Sequence, residues 1–146
     1  MGDFKLTSSA FEDGGEIPRK YGYKNGNREP PLTMNGVPEG TKSIALIMDD
    51  PDAMGAVGKV WVHWVMWNID PTNTELENLM KDGMTDFGEV GYGGPAPPDK
   101  RHTYVFKLYA LDSELDLPDK STKADVEKAM EGHIIEQTQL TGTYAP

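Results

Sequence analysis

The sequence contains no cysteine, which removes disulfides, thiolate metal sites and thiol nucleophiles together. That absence accords with a reducing compartment, and the expected location is cytoplasmic. There is no run of eighteen apolar residues, so no membrane-spanning helix is expected. The opening Met1-Gly2-Asp3-Phe4-Lys5-Leu6 lacks the apolar stretch of a secretory signal, and Leu6 breaks the myristoylation pattern. Stable membrane insertion is therefore not expected. Positive charge is scarce: 14 Lys and Arg against 24 Asp and Glu give a net charge of -10. Nucleic acid is an unsuitable partner for such a chain, because phosphate contacts need clustered cations. The 3 histidines show no His-x-His or His-x-x-x-His spacing, so neither a metal nor another cofactor is expected. No serine lies in a Gly-x-Ser-x-Gly elbow, and a protein nucleophile is missing as well.

What is present fits one domain. A chain of 146 residues has room for a single core, spanning 1–146. Three segments read as strands: Ser43–Met48, Val60–Ile69 and Thr103–Leu111, all rich in β-branched, aromatic or aliphatic residues. The first two are apolar on both faces and belong deep in a sheet stack. In the third, Tyr104, Phe106 and Leu108 share a face, and Lys107 marks the other as partly wet. Phe4–Ser8 is a weaker strand candidate. Residues 11–40 are dense in Gly and Pro, which suits turns and short strands rather than helices.

One helix is expected near the end, capped by Ser121 or Thr122, with Asp125 in its first turn. Val126, Ala129, Met130, His133, Ile134 and Gln137 fall near one face, and Gly132 interrupts it. A shorter helical turn is expected around Glu75–Lys81. The expected architecture is all-β: an antiparallel, Greek-key-like β-sandwich with one or two short peripheral helices.

Three features depart from ordinary strands and turns. Asp49-Asp50-Pro51-Asp52-Ala53 follows a buried strand directly. Its crowded carboxylates need solvation or partners, although an Asp-Pro turn alone would place each of them. His63 interrupts an apolar strand, and a buried imidazole needs partners for its nitrogens. Gly91-Tyr92-Gly93-Gly94-Pro95-Ala96-Pro97-Pro98-Asp99-Lys100-Arg101-His102-Thr103-Tyr104 runs into the third strand. Its glycines permit close approach of backbone to ligand, its prolines stiffen the loop, and His102 and Tyr104 point to the same side. Exposed N–H groups, an imidazole and a phenol are what an oxyanion needs.

Four stretches resemble the phosphatidylethanolamine-binding protein family, which includes the Raf kinase inhibitor protein and bacterial and archaeal relatives. Pro30-Pro31-Leu32 through Pro38 is similar to the family's early Pro-Pro-Leu segment. Asp50-Pro51-Asp52-Ala53 resembles its Asp-Pro-Asp-Ala-Pro signature, with Met54 in place of the last proline. Trp61-Val62-His63-Trp64, followed by Asn68, resembles the Trp/His strand. Gly91-Tyr92-Gly93-Gly94-Pro95 through His102-Thr103-Tyr104 resembles the signature ending in His-Arg-Tyr, with Thr103 in place of Arg.

The resemblance implies a β-sandwich with a small anion pocket at one end. Its lining would be Asp50, Trp61, His63, Tyr92, Gly94, Pro95, His102 and Tyr104. The expected ligand is a small anionic or phosphorylated group, alone or on a kinase or protease target, bound by a monomer or homodimer. N–H groups around Gly94, the Tyr104 hydroxyl and the two histidines would donate to it, while Trp61 and Pro95 form apolar walls. The expected role is binding, regulatory or inhibitory, without catalysis. The competing readings are a small hydrolase using His63, His102 and Asp50 on phosphoryl or acyl substrates, and an interaction module whose pocket is vestigial.

Overall fold

A computed structural model of the chain describes residues 3–76 and 82–146. The three apolar runs form the middle of a five-stranded sheet, as β4 (Ser43–Asp50), β5 (Trp61–Ile69) and β6 (His102–Leu111). Strand β4 lies between β5 and β6, and all eight of its residues are buried. Each buried Ile, Leu or Met side chain there contributes about 2 kcal/mol. The sheet order is β2-β7-β6-β4-β5, with β2 at Gly15–Glu16 and β7 at Ile134–Tyr144. The pairings along β7-β6-β4-β5 are antiparallel, but β2 runs parallel to β7. The fold is thus mostly β with a mixed sheet, not the wholly antiparallel sandwich expected. The second sheet is small, only β1 (Lys5–Thr7) against β3 (Thr33–Asn35).

Each face of the large sheet carries its own core. Leu6 and Met34 from the small sheet pack over Ile44, Leu46, Met48, Trp64, Met66, Phe106 and Leu108. On the other face, Val126 and Met130 cover Ala45, Ile47, Val65, Trp67 and Leu111. Those two residues belong to α2 (Lys123–Met130), which Thr122 opens with a full capping box: its hydroxyl accepts from Asp125 N–H, and the Asp125 carboxylate accepts from Thr122 N–H. A five-residue helix, α1 (Ala53–Val57), follows β4. Of the helical turn expected around Glu75–Lys81, residues 77–81 lie outside the described residues.

The helix near the end is shorter than its periodicity implies. It stops at Met130, and Gly132 has φ +79°, a left-handed conformation suited to glycine, which redirects the chain into β7. Ile134 and Gln137 therefore stand in a strand. His133 sits in the connecting turn, its Nδ1 2.8 Å from an Asp112 carboxylate oxygen.

Candidate functional site

Four segments meet at one end of the large sheet: the end of β4 with α1, the start of β5, the start of β6, and the Gly/Pro loop before it. Between them is a cavity of about 130 Å³ lined by Asp50, Ala53, Ala56, Val57, Trp61, His63, Phe87, Ala96, Pro98, His102 and Tyr104. That is room for several waters or one small polyatomic group. Of the residues expected at a pocket, Asp50, Trp61, His63, His102 and Tyr104 line it. Tyr92, Gly94 and Pro95 are not among its lining residues. The Tyr92 hydroxyl donates to Tyr21 C=O at 2.8 Å and its ring meets the edge of Trp64. Gly94 N–H donates to the Asn27 side chain at 2.7 Å, and Pro95 C=O accepts from Tyr23 N–H at 2.9 Å.

The strand pattern alone would not aim His63 at this cavity. Counting back from Trp67, even positions of β5 face the first core and odd positions the second. The pairing shifts between Met48↔Trp64 and Asp49↔Val62, leaving His63 as an extra residue in a β-bulge. The bulge lets His63 and its neighbour Trp64 share one face. Gly93 then fixes the ring. Gly93 N–H donates to His63 C=O at 2.8 Å, and His63 Nδ1–H donates to Gly93 C=O at 2.6 Å. A side chain at Gly93 would run into the Phe87 ring, which also stands edge-on to His63. Gly94 passes so close to Tyr21 C=O that a Cβ there has no room.

Burial lowers the pKa of His63, only partly offset by the Gly93 carbonyl and nearby Asp50. The ring is therefore neutral near pH 7. With Nδ1–H given to Gly93, its Nε2 is an acceptor on the cavity side.

His102 is the opposite case. Its ring is buried, and burial opposes charge, but Asp50 and Asp99 outweigh that and raise its pKa. Nδ1 lies 2.6 Å from Asp50 Oδ2, and Nε2 lies 2.7 Å from Asp99 Oδ1. Asp50 Oδ1 accepts from Asp52 N–H at 2.9 Å, and Asp52 reaches across to Thr103 N–H at 2.8 Å. These bonds tie the end of β4 to the start of β6. Met54 projects outward from α1, 54% exposed.

Two donors in the wall have no partner. The Tyr104 hydroxyl and Trp61 Nε1 are both buried without a hydrogen bond. Asp50 and the Ala96 backbone stand near the hydroxyl, and burial followed by Asp50 raises its pKa far above the ordinary phenol range, so the proton stays on. An unpaired buried donor costs about 1–3 kcal/mol, and two of them bordering one cavity mark a place for an acceptor-bearing group. No lining residue among those described is Lys or Arg, and the described residues hold no cluster of His, Cys, Asp and Glu that could bind a metal. Sequence reasoning did not single out Asp99, Phe87 or Asn27 for this site. For Asp99 the signal was its i,i+3 spacing from His102; for Asn27, the Asn25-Gly26-Asn27 turn.

The family model for phosphatidylethanolamine-binding protein matches residues 7–145, and the chain belongs to that family. It is 46% identical to a UPF0098 protein of Methanothermobacter thermautotrophicus, over 95% of this chain and 97% of that one. Among solved structures it is similar to a phosphatidylethanolamine-binding protein homolog from Chlamydia trachomatis. That match has 39% identity and a TM-score of 0.91, and covers 99% of this chain and 98% of the other. YbcL of Escherichia coli, described as a member of the mammalian family, matches at 34% identity and a TM-score of 0.89, covering 98% of each chain.

Proposed function

We propose that the chain is a small-anion binding protein, regulatory or inhibitory rather than catalytic. Its ligand would be a phosphoryl or carboxylate group that enters with one proton. The observation that carries this reading is the pair of unpartnered donors, Tyr104 O–H and Trp61 Nε1–H, on the wall of one cavity. They call for acceptors, while neutral His63 Nε2 calls for a donor. A singly protonated phosphate monoester or a carboxylic acid offers both. A dianion would have to draw a proton onto His63 as it binds. The walls formed by Ala53, Ala56, Val57, Phe87, Ala96 and Pro98 are apolar, so the ligand's non-acidic end should be compact and uncharged there. A phosphorylated or acidic side chain on a partner protein, such as a kinase or protease, carries the same chemistry.

One observation favours hydrolysis as a second reading. His63 Nε2 is a base facing a cavity that can hold water. Both nitrogens of His102 are engaged by carboxylates, so His63 alone would activate that water. The test of the main reading is an amide and indole NMR titration with methyl phosphate, whose non-acidic end is compact and uncharged. Saturable shifts of the Trp61 indole N–H and of the amides around Gly93 and His102 are expected. No shift at millimolar ligand would sink the proposal, and release of free phosphate during the titration would favour the hydrolase.

A further inference from the structure

His102 is a buried imidazole with a carboxylate on each nitrogen, and the two carboxylates are not equivalent. Asp50 is itself buried, at the end of β4, and its second oxygen is held by Asp52 N–H. Asp99 lies in the loop between Pro98 and Lys100, with its side chain 44% exposed. The oxygen that meets His102 also accepts from the adjacent Lys100 N–H, at 2.8 Å. One imidazolium is neutralised by one carboxylate, and Asp50 already serves. Asp99 is thus a surplus negative charge on the one cationic ring among the described residues of the cavity wall.

We propose that Asp99 is a tethered carboxylate that occupies His102 Nε2–H in place of an external anion, and so determines which anions the cavity accepts. This rests on the anion-binding reading above. The cavity's neutral donors, Tyr104 and Trp61, are open to any acceptor, but its charged donor is covered from the loop side. A singly charged ligand binds with Asp99 in place. A ligand carrying two charges is repelled by Asp99 unless it expels that side chain. Expulsion leads straight to solvent, where Asp99 already stands nearly half exposed, and needs no rearrangement of β4 or β6. Asp99 therefore disfavours dianions without closing the site.

The experiment titrates inorganic phosphate at fixed pH and ionic strength into wild type, Asp99→Ala and Asp99→Asn. It follows the Trp61 indole N–H and the ¹⁵N resonances of the His102 ring. Asp99→Ala is expected to bind phosphate about tenfold more tightly, with the His102 Nε2 signal moving on saturation. Asp99→Asn loses the charge but keeps an acceptor, and is expected to fall between the other two. An amide spectrum unchanged away from the loop confirms that each variant is folded. Equal or weaker phosphate binding by Asp99→Ala, with Trp61 still responding, overturns the role of Asp99 and leaves the anion reading intact. Absence of phosphate binding in all three overturns both.

Discussion

Asp49 and Asp50 are adjacent in the chain, both buried, and on opposite faces of the same strand. Asp49 faces α2. Its Oδ2 accepts from Lys107 Nζ at 3.1 Å and Lys123 Nζ at 2.7 Å, both lysines being partly exposed. Asp50 faces the cavity, where it accepts from Asp52 N–H and pairs with a titratable ring, His102, in a neighbourhood where two other donors have no partner. The first arrangement uses permanent charges and joins the helix to the sheet. The second leaves polar groups unsatisfied and open to exchange. Trp67 Nε1 on the α2 face is also unpartnered, but it is packed within an apolar core and not on the cavity wall. The α2 face thus ties helix to sheet through permanent charges, whereas one end of the other face holds buried donors without partners, which the proposed function assigns to a ligand.

Substitutions should separate the two. Asp49→Asn leaves two ammonium groups without their shared carboxylate and should destabilise the fold by about 2–3 kcal/mol. It should leave phosphate affinity unchanged, as read by urea unfolding and by titration.

The histidines should respond to pH with opposite sign. His102 has a raised folded pKa, so its contribution is full below the unfolded value of about 6.5 and is lost as pH rises through the folded one. His102→Gln should therefore lower the melting temperature more at about pH 5.5 than at about pH 9. His63 has a lowered pKa, so protonation of the unfolded chain weakens the native state as pH falls below about 6.5. His63→Gln should accordingly be more damaging at about pH 8 than at about pH 5. Thermal melts across that range check both, and parallel profiles would show that the two rings do not differ in charge. The smallest effect should come from Thr122→Ala, which removes the α2 cap at a cost of about 1 kcal/mol and should not alter binding.

The middle strands were legible because their burial on both faces writes continuous apolar runs into the sequence. Strand β7 was not. Its first half opens on two exposed isoleucines, Ile134 and Ile135, and is then polar and at most half-buried from Glu136 through Gln139, and the spacing of Val126, Met130, His133 and Gln137 extends the helical pattern across Gly132. The chain leaves the helix at Glu131 and turns away through the left-handed Gly132. Within the site, Asp50, His102 and Tyr104 follow from strand ends and alternation, whereas the aim of His63 depends on a bulge that periodicity does not encode. Gly94 reads as a free donor in sequence. Its N–H is taken by Asn27, 67 residues away, a long-range contact that no local pattern announces. The same holds for Phe87, which reaches the cavity from a loop with no motif of its own.

Under the proposed function, the Tyr104 hydroxyl is left unsatisfied for a ligand and not for the fold. Tyr104→Phe tests it with two readings on one protein, unfolding free energy and phosphate affinity. Stability equal to wild type, or higher by about 1 kcal/mol because an unpaired buried donor is gone, is expected together with at least a tenfold loss of affinity. A variant that loses stability by that amount while binding phosphate as well as wild type would contradict it.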